Sequence, residues 1–166
     1  MLQLEFKEVK LFRGRMTILL PANFMDMPDY LAKRKYPSKY RPPVIMTSED
    51  TLVNYLFNLM ETPLPKSEIE NAAKGLYDSL KRTQPMGVFD KISMIDRING
   101  QVAWFFYHTK TLDAELFQIA YITDIHGKLM YGAFNCLLEE KNNWFENILY
   151  SIRSIHEVED NHYENR

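Results

Sequence analysis

The chain has one cysteine, Cys136, in 166 residues, so no internal disulfide can form. Glycine is scarce and scattered, at positions 14, 75, 87, 100, 127 and 132. None of these builds a G-x-G-x-x-G run or a P-loop, and no G-x-S-x-G is present. A nucleotide-phosphate cradle and a hydrolase nucleophile elbow therefore have no support. No apolar run approaches the ~20 residues that cross a bilayer. The opening "MLQLEFKEVKLF" alternates apolar with charged residues and does not read as a secretory signal. The expectation is a cytoplasmic protein without membrane insertion.

Excess charge is also lacking. Lys plus Arg number 20 against 22 Asp plus Glu, for a net charge of −2. Such a balance gives no global attraction to nucleic acid or anionic lipid. Metal-binding spacing is missing too. His108, His126, His156, His162 and Cys136 form no C-x-x-C or H-E-x-x-H pattern, so neither a metal nor any other cofactor is expected. Cys136 shares its strand face with Met130, Gly132 and Phe134 and reads as a small buried apolar residue, not as a nucleophile served by His108. Glu139-Glu140 suit the start of a helix, and Asp113 and Glu115 flank a turn, so both pairs read as solvated.

What is present is a fold. Hydrophobic residues make up 46% and charged residues 25%, as in an ordinary globular domain. "LEFKEVKLF" and "RMTILLP" read as a hairpin about Arg13-Gly14, ended by Pro21. "MPDYLAKRKYP" reads as a short helix, with Asp29 and Lys33 to Lys35 matching its dipole. "PPVIMTSEDTLVNYLFNLM" reads as two strands about Ser48-Glu49-Asp50. "KSEIENAAKGLYDSLKR" is helical, and Ser67 with Glu70 suggests a capping box. "GVFDKISMIDRI" meets "QVAWFFYHT" through Asn99-Gly100, and "AELFQIAYIT" meets "KLMYGAFNCLL" through residues 124–127. These last strands are apolar on both faces, so helices must cover both sides. "EEKNNWFENILYSIRSI" carries Trp144, Ile148, Ile152 and Ile155 on one stripe. The prediction is one α+β domain over residues 1–156, with about six antiparallel strands between helices, and a polar tail over 157–166.

A hairpin running into "LLPANF", then "NGQVAWFFYHT", "ELFQIAYIT", "GKLMYGAFNC" and a closing amphipathic helix resembles the PsbP/Mog-like superfamily, which includes DcrB-like bacterial proteins. The resemblance covers roughly residues 4–156 and is one of element order. It implies an α/β/α sandwich and a non-enzymatic, protein-binding role. No binding residue carries over by motif.

Two features remain as candidates. "AKRKYPSKYRPP" holds Lys33, Arg34, Lys35, Lys39 and Arg41. Without these five, 15 basic residues face 22 acidic ones, or −7. Prolines 37, 42 and 43 impose an extended connection. The segment reads as a solvated join or a surface for a protein partner, not as a nucleic-acid grip, which needs about six or more phosphate contacts. The other feature is a set of polar residues in apolar strands, Asn54, Asn58, Gln118 and Asn135, with His108. They read as rim residues or as the lining of a small polar pocket. The leading expectation is a binding or adaptor protein. The alternative is a small-molecule binder or minor enzyme using that pocket. Partner identity and oligomeric state are not legible.

The apolar stripe of the last helix makes one stability prediction. Trp144→Ala should lower stability by ~3–5 kcal/mol, the range for deleting a buried large aromatic. A chemical-denaturation midpoint equal to wild type would show that the stripe does not face the core.

Overall fold

The structure is a computed structural model and describes residues 4–158. The expected hairpin forms from β1 (Phe6–Leu11) and β2 (Met16–Pro21). Phe12, Arg13 and Gly14 all take positive φ in its turn. β3 (Met25–Asp26) is followed by α1 (Asp29–Lys35), β4 (Val44–Thr47) and β5 (Asn54–Pro63). A 3₁₀ turn at Lys66–Glu68 leads into α2 (Ile69–Thr83). Ser67 lies inside that turn, and no side chain caps α2. The expected capping box is therefore not formed, because the helical path starts a turn earlier, behind Pro65.

β6 (Val88–Phe89), β7 (Ser93–Arg97), β8 (Gly100–Lys110), β9 (Glu115–Ile125) and β10 (Lys128–Leu137) follow. A second 3₁₀ turn precedes α3 (Lys141–Arg153), and β11 (His156–Glu157) closes the described chain. Both predicted tight hairpins are present. Asn99 has φ 59° between β7 and β8, and His126 and Gly127 have φ 49° and 75° between β9 and β10.

The main sheet has eight strands in the order β3-β4-β5-β10-β9-β8-β6, with β7 also paired to β8. β1, β2 and β11 make a separate three-stranded sheet. The expected count of about six strands is thus too low. β3, β6 and β11 have two residues each, too few for an alternation to show in sequence. Glu157, the first residue of the expected tail, pairs with Met16. Residues 159–166 of that tail, with His162, lie outside the described residues.

Covering both faces follows from the apolar central strands. On one face, α3 and the small sheet enclose a single cluster that includes Met16, Ile18, Tyr55, Phe57, Phe117, Tyr121, Phe134, Trp144 and Ile148. On the other face, α1 packs Leu31 and Ala32 on Ile45 and Leu56. α2 packs there too, with Ile69 and Ala73 near Ala103 and Ile122 and Leu76, Tyr77 and Leu80 near Phe105 and Ala120. Among the described residues no helix is long and apolar enough to cross a membrane.

Two features of this core lead to predictions. Gly132 pairs with Tyr121, and the Tyr121 ring lies where a side chain would stand. A Cβ added at Gly132 would come within 2.1 Å of Tyr121 Cζ. Tyr121 is fully buried and cannot swing away. Gly132→Ala should therefore cost about 1–3 kcal/mol or more through overpacking. An unchanged denaturation midpoint would show the ring is not seated over this strand.

Burial also raises the phenol pKa of Tyr131 to about 12 and raises those of Tyr55, Tyr107 and Tyr121. The unfolded chain releases these protons near pH 10, whereas the folded chain holds them. The stabilisation is therefore complete below about pH 10 and is lost as pH climbs toward the folded values. Denaturation midpoints should be steady to about pH 9 and fall from about pH 10 upward. Midpoints that stay level to about pH 12 would contradict the burial of these rings.

Candidate functional site

β10 lies at the centre of the main sheet, and its two faces are covered unequally. Met130, Gly132, Phe134 and Cys136 point into the α3 side and are buried. Leu129, Tyr131, Ala133, Asn135 and Leu137 face the other side and are each only half-buried. α1 stands over β4 and β5, and α2 over β8 and β9. The strand between them is left as the floor of a shallow groove. Ala133 packs toward α1 and Tyr131 toward α2.

A polar row crosses one end of this groove. Register places Thr47 opposite Asn54, Asn54 opposite Asn135, Asn135 opposite Gln118, and Gln118 opposite Tyr107. The Thr47 hydroxyl donates to Asn54 Oδ1 at 2.7 Å. Asn54 Nδ2 donates to Asn135 Oδ1 at 3.0 Å, and Asn135 Nδ2 donates to Tyr36 Oη at 2.8 Å. Gln118 Nε2 donates to Thr109 Oγ1 at 2.8 Å, and the Tyr107 hydroxyl reaches Gln118 Oε1 at 3.4 Å. These bonds satisfy amides that would otherwise be costly to bury. Asn58 lies two rungs further along the same face, paired with Tyr131.

Four of the five pocket residues expected from sequence thus share one face. His108 does not. It pairs with Phe117 and sits on the α3 side, against the Phe106 and Phe117 rings. Burial, then the Lys141 charge, lowers its pKa. Phe117 also pairs with Cys136, so it stands between the imidazole and the thiol. Two strand spacings separate them, roughly 9–10 Å. Burial and the nearby Glu140 push the Cys136 thiol up to about 12. A thiol so disposed is not a nucleophile at neutral pH.

The basic segment divides by role. Lys35 donates to the Thr51 carbonyl. Arg41 donates to the Ser38 carbonyl at 3.0 Å and to the Tyr36 carbonyl at 3.4 Å. These two charges brace the loops. Lys33, Arg34 and Lys39 are exposed and make no ion pair with any described residue. Tyr36 is half-buried, and its pKa is raised by burial. Tyr30 and Tyr40 are 72% and 80% exposed. Through Tyr36 the basic segment forms one wall of the groove and bonds to its polar row.

Among the described residues no group of three or more His, Cys, Asp or Glu side chains stands close enough to hold a metal ion. Asp113, Glu115 and Glu139 line an open cleft of about 460 Å³ at the end of the sheet. Sequence reasoning missed Arg97. Its buried guanidinium donates to Thr123 Oγ1 at 2.9 Å, to the Asp124 carbonyl at 2.8 Å and to Glu157 Oε1 at 2.8 Å. Asp124 in turn pairs with Lys66 at 3.1 Å. These bonds tie β7, β9 and β11 together. In sequence, Arg97 beside Asn99-Gly100 looks like any solvated turn residue.

No protein-family model and no curated protein matches the chain. Solved structures do. The chain is similar to cyanobacterial PsbP (CyanoP) from Synechocystis sp. PCC 6803, with TM-score 0.68, 12% identity and 92% of each chain covered. It is similar to the Saccharomyces cerevisiae Ran-binding protein Mog1p, with TM-score 0.60, 14% identity, and 97% of this chain and 100% of that one covered. LpqN of Mycobacterium tuberculosis, involved in cell envelope biogenesis, matches at TM-score 0.58 and 9% identity, over 94% and 92%. At these identities the likeness is one of fold, and the chain has the PsbP/Mog-like fold.

Proposed function

We propose that this chain is a non-enzymatic, protein-binding adaptor, and that the groove along β10 between α1 and α2 is its binding face. One observation carries the reading. The outer face of the central strand is half-buried along its whole length, between α1 over the start of β5 and α2 over β8 and β9. Its floor of Tyr131, Ala133, Asn135, Asn58 and Gln118 contains no carboxylate, imidazole, thiol or amine. Such a floor can bind, but it offers no acid–base pair tuned near neutral pH. Ran binding by the similar yeast protein Mog1p supports protein recognition as a use of this fold. A cytoplasmic location is part of the proposal, because one buried cysteine suits a reducing compartment.

A small neutral ligand is the second reading. It is favoured by the amide row at the groove's end, where Asn135 and Gln118 are half-exposed with hydrogen-bonding capacity remaining.

The test uses Ala133→Arg, which fills the groove from a half-buried position at the edge of the α1 cluster. Wild-type and variant protein are used for affinity capture from the source cell, followed by mass spectrometry, with a matched fold by circular dichroism. A stoichiometric protein captured by wild type and lost from the variant is the expected result. Equal capture by both would place binding elsewhere. A bound small molecule in native mass spectra, lost from the variant with no protein partner, would establish the second reading.

A further inference from the structure

The outer side of α1 adds chemistry that the groove floor lacks. Tyr30, Lys33 and Arg34 stand at i, i+3 and i+4 and so form one outward stripe, while Leu31 and Ala32 face the sheet. Just beyond the helix, the Lys39 ammonium lies 5.1 Å from the Tyr40 ring centre. The result is three cations without carboxylate partners among the described residues, flanked by two tyrosines that are 72% and 80% exposed. Lys35 and Arg41 are already engaged in bracing the loops and contribute little to an outside contact.

Resting on the protein-binding reading above, we infer that this surface receives an acidic segment of the partner protein, which continues past Tyr36 into the groove. Charge complementarity is the first argument. Outside residues 33–41 the chain's charges sum to 15 basic against 22 acidic residues, or −7, so the surface lies on a basic corner of an acidic molecule. Acidic groups of a partner are drawn to it and turned away from the remainder, which fixes the direction of docking. Side-chain chemistry is the second argument. Exposed tyrosine and arginine are the residue types that anchor protein interfaces, because they give rigid area and several bonds each. Continuity is the third. Tyr36 belongs to the same segment and accepts from Asn135, so a bound segment passes from the cations to the polar row without leaving the protein surface. Nucleic acid fits less well. Three free cations fall short of the roughly six phosphate contacts that such binding uses, and a polyanion extending beyond them meets the acidic body.

An unbiased peptide-display library panned against the folded protein tests the inference. Enriched peptides should carry a marked excess of Asp and Glu. By fluorescence anisotropy at low salt, an enriched peptide should bind at least about tenfold tighter than its Asn/Gln analogue, and the difference should shrink as salt shortens the screening length. The triple variant Lys33→Glu, Arg34→Glu, Lys39→Glu alters exposed side chains only. It should keep its circular dichroism and lose at least about tenfold in affinity. Any of four results would overturn the inference. These are no enrichment, enrichment without an acidic bias, binding untouched by the triple variant, and tighter binding of a labelled single-stranded oligonucleotide lost in that variant. Wild-type self-association abolished by the charge reversals would assign the surface to a second copy of this chain and would also overturn it. If the capture experiment with Ala133→Arg succeeds and the peptide experiment fails, the groove stands and the acidic partner falls.

Discussion

Everything in this molecule depends on three adjacent strands that are apolar on both faces. β8, β9 and β10 turn Val102, Phe117, Ile119, Tyr121, Met130 and Phe134 to one side and Ala103, Phe105, Ala120 and Ile122 to the other, all buried. An antiparallel sheet of this kind cannot leave either side to water. One side is covered by α3 and the small β1-β2-β11 sheet, with Trp104 and Phe106 of β8 partly buried there. The other has only two helices to cover eight strands. α2, at 15 residues, lies over β8 and β9. α1, at seven residues, reaches only β4 and β5. The groove over β10 is the consequence, and the polar row is how the sheet tolerates it. Asn54 is bonded to Asn135 and Asn135 to Tyr36, while Gln118 is bonded to Thr109 and Tyr107.

The two polar features of the molecule act differently. The buried Arg97 and Asp124, with Glu157 and the largely exposed Lys66, form a bonded network that fastens β11 to the main sheet. Breaking such a network leaves a charge without partners and is costly. Tyr36, Asn135 and Asn54 instead form a neutral network at the groove's edge. Tyr36 and Asn135 are half-buried and Asn54 is buried, and the network joins the basic segment to the groove floor. The first network holds the frame, and the second connects the basic corner to it.

Much of the frame was legible in the sequence. Asn99-Gly100 and the turn before Lys128 declared two hairpins, because positive φ is needed there and these residues allow it. The Trp144 stripe declared α3. The number of strands was not legible, since two-residue strands have no period to read. Nor was the division into two sheets, which depends on tertiary packing of β1 and β2. Of the site, alternation within each strand correctly set Asn54 with Asn58 and Asn135 opposite Cys136. It did not place His108, because the relation between strands is set by register. The tight turn at residues 111–114 pairs His108 with Phe117. A slip of one residue would have put it beside the polar row. The groove left no trace in sequence, because it arises from the short reach of α1 against a sheet wider than any local pattern shows.

The central claim is that recognition occurs on the half-covered side of β10. Hydrogen–deuterium exchange of the protein, alone and with its captured partner or an enriched peptide, tests it most directly. The account predicts slowed exchange in α1, in the loop over residues 36–43 and in the facing turns of α2, with α3 and the β1-β2 hairpin unchanged. Slowed exchange confined to α3 or to that hairpin would contradict it.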